Sequence, residues 1–231
     1  MKRIYVALAL LAAATFVVIG CGGGGGGGGD TTPKTTLSGR VLDSYGGTIS
    51  GALVTVDTGS TKAVLSGTAN SSGYYSIGNV PLGVTINISV TSGGNSIQLN
   101  GLTIGADAGS STGMNFVLGG QAIPNGCTLG IAPDSLSVYA GETSIASIKV
   151  YDQFEQEVLP TESSSWKAGV VVTGSATLQL GESATTFGVK GGTLNQTAKL
   201  TVLGVNTGGS VISANKVITI QSMDLPPPPP L

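Results

Sequence analysis

Short runs in which apolar and polar residues alternate constrain this chain most, because a period of two places the apolar side chains on one face of a β-strand. Ala52, Val54 and Val56 form one such run. Others contain Ile86, Ile88 and Val90, then Met114, Phe116 and Leu118, then Ala146, Ile148 and Val150. Turn residues such as the Asn-Ser-Ser-Gly of residues 70–73 separate the runs. The pattern predicts an all-β chain built from antiparallel sandwiches.

Composition supports the same fold class. The 231 residues include 38 glycines, and only 10% are charged. Because β-branched residues suit pleated strands and glycine suits tight turns, we expect many short strands and no helix after the N-terminal segment. Further strands are predicted at residues 37–42, 74–77, 177–180, 185–189 and 198–203, with a final hairpin from residues 211–212 and 217–220.

The N-terminal segment has the order of a secretory signal peptide. Lys2 and Arg3 precede an apolar run at residues 4–19, and Gly20 lies next to the cut that such a signal would need. The run is shorter than the roughly 20 apolar residues of a membrane-spanning helix. We therefore expect residues 1–20 to be removed on export.

The end of this signal resembles the lipobox of bacterial lipoproteins, on the residues Val18, Ile19, Gly20 and Cys21. That resemblance implies that Cys21 is acylated, becomes the new N-terminus and ties the chain to a membrane. Gly22 stands where an aspartate would retain such a lipoprotein in the inner membrane. The resemblance thus implies a lipid-anchored protein of the cell envelope, on the outer membrane or cell surface rather than the inner membrane.

Residues 21–36 are interpreted as a tether, because glycine occupies every position from 22 to 29. A Gly-rich coil of this length has a mean reach of about 20–25 Å. The formal charge of the chain is −2, and removal of Lys2 and Arg3 with the signal takes it to −4. A weakly acidic chain without a basic cluster has no electrostatic footprint for nucleic acid. The membrane itself is therefore the first expected partner, through the N-terminal lipid.

Residues 37–118 resemble a carboxypeptidase regulatory-like domain. The resemblance rests on SGRVLD at 38–43, GALVTV at 51–56, TANSSGYY at 68–75 and NVPLG at 79–83. It implies a transthyretin-like β-sandwich without catalytic activity, related to carbohydrate-binding folds. Tyr45, Tyr74 and Tyr75 are the candidate stacking residues if the domain binds a polysaccharide.

After a predicted linker at residues 119–126, residues 127–222 resemble a bacterial immunoglobulin-like domain. The resemblance rests on PDSL at 133–136, YAGET at 139–143, VYD at 150–152 and Trp166. It implies a second β-sandwich with Trp166 in its core rather than in a sugar platform. The fold class predicted for the whole is thus two consecutive β-sandwiches, followed by a Pro-rich tail at residues 223–231.

The sequence contains few of the residue patterns that catalysis or metal binding requires. The chain has no histidine, which excludes Ser-His catalysis and zinc sites of the His/Cys type. Cys127, the only other cysteine, is predicted to be buried and inert. Glu155, Glu157 and Glu162 fall in one polar loop region, where solvated acids are the default. We predict no catalytic residue, no metal and no cofactor.

A Lys62–Asn115 isopeptide crosslink, known from related surface sandwiches, lacks a nearby glutamate within residues 37–118. The leading hypothesis is a membrane-anchored, non-catalytic surface lipoprotein that serves as an adhesion or scaffold module. The alternative is a carbohydrate-binding module of the envelope or exterior. The partner, whether protein or polysaccharide, stays open from the sequence.

Overall fold

The structure is a computed structural model that describes residues 32–59, 64–108, 111–161, 163, 165–180 and 185–222. These residues belong to one compact unit, Thr32–Leu231. The predicted signal peptide, Cys21 with its lipobox, most of the tether, Lys62, Glu162 and the Pro-rich tail lie outside the described residues.

The described residues form fifteen strands and one short 3₁₀ turn at Ala106–Ala108. The strands are β1 (Lys34–Leu42), β2 (Leu53–Asp57), β3 (Leu65–Thr68), β4 (Tyr74–Pro81), β5 (Thr85–Ser92), β6 (Asn95–Thr103), β7 (Ser111–Val117), β8 (Thr128–Ala132), β9 (Leu136–Tyr139), β10 (Thr143–Tyr151), β11 (Ala168–Gly174), β12 (Ala176–Leu180), β13 (Thr186–Gly191), β14 (Thr197–Val205) and β15 (Val211–Gln221). The all-β prediction is confirmed.

The strands are arranged in three sheets. A central sheet of seven strands has the order β4-β1-β7-β11-β14-β15-β9. A first outer sheet has the order β3-β2-β5-β6, and a second outer sheet has the order β12-β13-β10-β8. The central sheet therefore takes strands from both predicted sandwiches.

Each outer sheet packs on the central sheet to form a separate core. The first core contains, among its fully buried side chains, Leu37, Val54, Ile88, Leu99 and Phe116. The second core contains Val150, Trp166, Val189, Leu200 and Ile218. The burial of Trp166, with only 2% of its surface exposed, confirms its predicted place in a core. The alternating runs of the sequence supply most of the inward-facing residues, as their period of two requires.

The body has a first half, which contains the first outer sheet and β1, β4 and β7, and a second half, which contains the second outer sheet and β9, β11, β14 and β15. Strand β11 joins these two halves, because it is buried on both faces. Val170 and Val172 belong to the second core, whereas Val171 belongs to the first. A side chain at Gly169 would meet Leu99 and Met114 of the first half. Strand β11 pairs antiparallel with β7 from Ala168↔Val117 to Val172↔Gly113. The two sandwiches thus share a continuous sheet, which differs from the expected pair of domains joined only by a linker.

The predicted linker is packed into this body. Within residues 119–126, Ile123 is fully buried in the second core. The N–H of Gln121 donates to the Ser165 carbonyl, and the N–H of Ile123 donates to the Val205 carbonyl. The segment between the two predicted sandwiches is therefore packed and hydrogen-bonded into the body.

The C-terminal hairpin is also arranged differently from the prediction. Residues 211–221 form the single strand β15, which pairs along its length with β14 from Thr197↔Thr219 to Val205↔Val211. The hairpin is therefore β14–β15, with its turn at residues 206–210. Strands β3, β6, β8, β9 and β11 were not predicted from the sequence.

Strand directions define two ends of the central sheet. Strands β1 and β7 run parallel, and β11 runs antiparallel to β7. We call the end where β1 begins, at Lys34, the entry end, and the end where β1 finishes, at Leu42, the loop end. Nine residues of strand separate the two ends of β1 by about 30 Å.

Candidate functional site

A groove opens beside the junction of the two halves, and we name it the Arg40 groove. Its volume is about 750 Å³, within the range of ligand sites in proteins. Its walls come from strands β1, β4, β7 and β12 together with neighbouring residues. The lining side chains with polar groups are Ser38, Arg40, Tyr74, Ser111, Asn115, Thr177 and Gln179.

The groove exists because the second outer sheet covers only part of the central sheet. That sheet packs on β11, β14 and β15, and β12 forms its edge next to β7. No described strand covers the same face of β4, β1 and β7. A step therefore lies between the edge of β12 and the open face of these three strands.

Strand periodicity explains the polarity of the open face. In β4, Tyr75 and Ile77 face the first core, so Tyr74 and Ser76 point to the opposite side. Arg40 of β1 lies directly across from Tyr74 in the antiparallel register. Side chains at such paired positions lie on the same face and close together. An exposed phenol ring and a guanidinium thus stand side by side in the groove.

Arg40 is the only charged residue among the described residues that line the groove. Its guanidinium donates a hydrogen bond to the Ser72 carbonyl, and its backbone N–H donates to Asn115 Oδ1 at 2.8 Å. A guanidinium carries five N–H donors, so others stay available to a ligand. Hydroxyl and amide groups surround this one positive charge. The arrangement can hold a polar ligand, and the described lining residues include no carboxylate.

The edge of β12 contributes backbone as well as side chains. Residues 176, 177, 178 and 179 all line the groove, although alternate side chains of a strand point to opposite faces. The described part of the chain shows no backbone hydrogen bond from β12 to any element other than β13. Gly113 of β7 faces this edge, and a Cβ there would lie 3.3 Å from Val172 Cγ1 and in ordinary contact with Leu178.

A second groove lies in the corresponding place on the other face of the central sheet, and we name it the Lys199 groove. Its volume is about 400 Å³, and it runs between the edge strand β6 and the open face of β11, β14 and β15. Lys199, Thr201 and Asn215 contribute to it. Thr201 donates its hydroxyl hydrogen to Asn215 Oδ1 at 2.7 Å. None of the described residues that line this groove is aromatic.

The structure separates the three candidate stacking tyrosines. Tyr74 is 42% exposed and lies in the Arg40 groove, whereas Tyr45 is 78% exposed in the turn after β1. Tyr75 is only 1% exposed, so its candidacy as a platform is wrong. It faces the first core, packs beside Phe116 and donates its hydroxyl hydrogen to the Met114 carbonyl at 2.8 Å. Burial raises the pKa of Tyr75 well above its ordinary value, and the neighbouring Tyr74 adds to the rise.

A third feature is the group of loops at the loop end. Tyr45 lies there, and Phe154 and Leu159, exposed by 71% and 68%, lie in the loop between β10 and β11. This loop is held at the same end, because the Thr161 N–H donates to Gln121 Oε1 beside the start of β11. Sequence reasoning missed Phe154 and Leu159, although two large apolar residues in an otherwise polar loop were a visible signal.

Two aspartates shape the loops that carry these residues. Asp43 Oδ1 accepts hydrogen bonds from the N–H groups of Tyr45 and Gly47. Asp152 Oδ1 accepts from the N–H groups of Phe154 and Gln156. Both carboxylates therefore stabilise their own turns. Each turn presents an aromatic residue two positions after its aspartate.

The other predicted functional groups are not brought together. Glu157 pairs with Lys149 at 2.7 Å on the surface. The described residues contain no cluster of three or more acidic or cysteine side chains placed to bind a metal. Cys127 is a free thiol that packs half-buried against the second core, so it is less buried than predicted. None of the described residues belongs to a helix with the length and apolarity needed to cross a bilayer.

Comparison with known proteins identifies the first half of this body. Residues 36–119 match the family described as carboxypeptidase regulatory-like domain. This agrees with the predicted segment at residues 37–118, and the regulatory domain is a non-catalytic module. No curated protein matches the chain. The matched domain supplies β1 to β7, and hence the open face of the Arg40 groove.

Proposed function

We propose that this protein is a lipid-anchored, non-catalytic module of the cell envelope that presents binding surfaces as an adhesion or scaffold protein. The observation that carries this proposal is the direction of β1. The segment with Cys21 leads into the entry end, whereas Tyr45, Phe154 and Leu159 lie at the loop end. The exposed aromatic side chains of the loop end are therefore about one strand length away from the point at which the chain enters β1.

The second half of the body fits an immunoglobulin-like module, which is part of the proposal. Its outer sheet has the order β8-β10-β13-β12, and its share of the central sheet has the order β11-β14-β15-β9. Relabelled in chain order, these orders correspond to the ABED and CFG sheets of an immunoglobulin domain, with β9 in the position of a split first strand, and this correspondence supports the proposal. Trp166 is buried immediately before β11, the strand that takes the place of C. Such modules act as spacers and contact surfaces outside the cell.

Two further considerations favour an envelope position. Multiple acylation at Cys21 would hold the protein stably, because two acyl chains anchor a protein where one holds only marginally. Gly22 after the acylated cysteine favours the outer membrane or cell surface over the inner membrane. A rigid β body without a catalytic cluster in its described residues suits recognition rather than turnover.

Labelling with radioactive palmitate tests the anchor directly. The wild-type chain should incorporate label and fractionate with membranes, and Cys21→Ala should do neither. Cys127→Ala serves as the matched control, because it removes the other cysteine and should leave both properties unchanged. Surface digestion with protease then distinguishes an exterior protein from one that faces the periplasm. Recovery of unlabelled wild-type protein in the cytosol would contradict the proposal.

The second candidate function is carbohydrate binding, favoured by the place of Tyr74 in the Arg40 groove. An exposed aromatic ring beside hydroxyl and amide groups is a suitable surface for a sugar face. A glycan array with wild type and Tyr74→Ala tests this candidate, and Tyr45→Ala reports on the loop end. Retention that depends on Tyr74 supports binding in the groove, and retention that depends on Tyr45 assigns it to the loops. A blank array removes this candidate and leaves the anchored module in place.

A further inference from the structure

The geometry points to the Arg40 groove as a binding site for a polysaccharide that carries carboxylate groups, such as a chain of uronic acid residues. This inference rests on the second candidate function and names its ligand class and its site. The site is composite, because Arg40, Tyr74 and Asn115 come from the first half and Thr177 and Gln179 come from the second.

Charge selects the class of sugar. Arg40 is the one charged residue among the described residues of the lining, and none of these described residues carries a carboxylate that could neutralise it. The described residues give its guanidinium one hydrogen-bond partner, the uncharged Ser72 carbonyl. A planar guanidinium matches a carboxylate with two parallel hydrogen bonds. A chain with formal charge −2 thus has a local positive site whose unused donors face a groove.

The remaining lining suits a sugar better than a peptide strand. Side chains of an added strand would need pockets at alternate positions, but the floor of the groove is formed by Ser38, Gly39, Gly113 and Asn115. These residues offer hydrogen-bonding groups and a flat backbone instead of apolar pockets. Tyr74 adds an exposed ring directly across from Arg40, so a sugar ring that stacks on Tyr74 has its acidic group within reach of the guanidinium.

Antiparallel pairing with the β12 edge of a second copy is disfavoured by the layers of the body. That pairing would place the second outer sheet of the second copy over β7, β1 and β4. The central sheet of the second copy would then overlap the central sheet of the first, since each outer sheet packs on the central sheet. A slender polysaccharide avoids this overlap.

The test measures binding of the purified full chain to polygalacturonate and to alginate by affinity electrophoresis and calorimetry. Methyl-esterified polygalacturonate is the matched probe, because it keeps the sugar chain and removes its charge. We expect the acidic polymers to bind, and we expect the affinity for the ester to be lower by a factor of about ten or more. Arg40→Gln should reduce binding of the acid to the level of the ester, whereas Tyr74→Ala should weaken binding of both.

Lys199→Gln is the control variant, because it removes the single positive charge of the other groove and should leave binding unchanged. Arg40→Lys keeps the charge without the planar fork and should give intermediate affinity. Thermal unfolding of each variant establishes that the fold is intact.

Four results would overturn the inference. Equal affinity for acid and ester, unaffected by Arg40→Gln, leaves carbohydrate binding in place but removes the role of the carboxylate. Loss of binding in Lys199→Gln but not in Arg40→Gln assigns the ligand to the other groove. Binding of polyglutamate with the same dependence on Arg40 and greater affinity assigns the groove to an acidic peptide. If neither acidic polymer binds while the array detects neutral glycans, only this inference fails, and if both are blank, the carbohydrate function fails with it.

Discussion

Strands β11 and β1 both lie inside the central sheet, yet only β11 is covered on both faces. Its residues from Ala168 to Val172 are small or apolar without alternation, and they contribute to both cores. Strand β1 alternates instead, with Leu37 in the first core and Ser38 and Arg40 on the open face. The comparison shows that the face of β1 that no outer sheet covers carries polar side chains. The open face is therefore a surface suited to ligands rather than a core that lacks its cover.

Introducing a carboxylate into each strand gives the largest expected difference. Val170→Asp places a charge in the second core without a partner, and such changes cost about 3–5 kcal/mol of unfolding free energy. Ser38→Asp places the same group on the open face and should change stability by less than about 0.5 kcal/mol. Denaturant unfolding of both variants makes the measurement. Similar losses in the two variants would show that the face of β1 is not open in solution.

The contact between β11 and the first core can be tested by filling the space at Gly169. A side chain there meets Leu99 Cδ1 at 2.9 Å and Met114 Cε at 3.0 Å. Gly169→Val should therefore cost about 1–3 kcal/mol, the usual range for overpacking. The matched control is Gly78→Val in β4, where a Cβ has no neighbour within 4 Å. If both variants unfold like the wild type, the first half does not pack on β11 as described.

The sequence predicts the individual sandwich strands far better than their assembly. Alternation located the strands that hold Val54, Ile88 and Ile148, since a period of two is a local signal. The unbroken run of Ala168 to Val172 was overlooked, although such runs indicate a strand buried on both faces. The pairing of β7 with β11 has no local signal. It joins residues more than 50 positions apart, and it depends on Gly169 accommodating Leu99.

For the candidate site, too, the sequence predicts the local features of single strands better than the way in which strands assemble. Tyr75 shares its parity with Ile77, so the alternation of β4 already placed it on the core side and Tyr74 on the other. The composite groove could not be predicted, because Arg40 and Gln179 meet only through the shared central sheet. Asp43 and Asp152 were visible as turn residues, whereas the exposure of Phe154 depends on how its loop is held against Gln121.

The adjacent tyrosines of β4 sharpen the comparison between a covered and an open face. Tyr75→Phe removes the hydrogen bond to the Met114 carbonyl and should cost about 1 kcal/mol. Tyr74→Phe, on the open face, should cost less. Thermal unfolding near pH 7 measures both.

The same pair predicts a difference in alkaline stability. Because burial raises the pKa of Tyr75, the folded protein keeps its proton at a pH where the unfolded chain releases it. The stability associated with the neutral phenol is complete below the unfolded pKa of about 10 and decreases as the pH rises above it. Unfolding curves between pH 8 and about 11 should therefore show a smaller decrease for Tyr75→Phe than for wild type. A decrease that Tyr74→Phe removes instead would assign the effect to the exposed ring.

The smallest effect is expected for the stability of Arg40→Gln. Arg40 is half-buried, lies on the open face and holds one carbonyl with its side chain, so its loss should lower the free energy of unfolding by less than about 0.5 kcal/mol. A fold that hardly depends on the guanidinium leaves its donors available for a ligand. If Arg40→Gln instead unfolds as readily as Gly169→Val, the residue belongs to the framework of the sheet. The open face of β1 would then contribute to the free energy of unfolding as the covered strand β11 does, and the two strands would no longer differ in this respect.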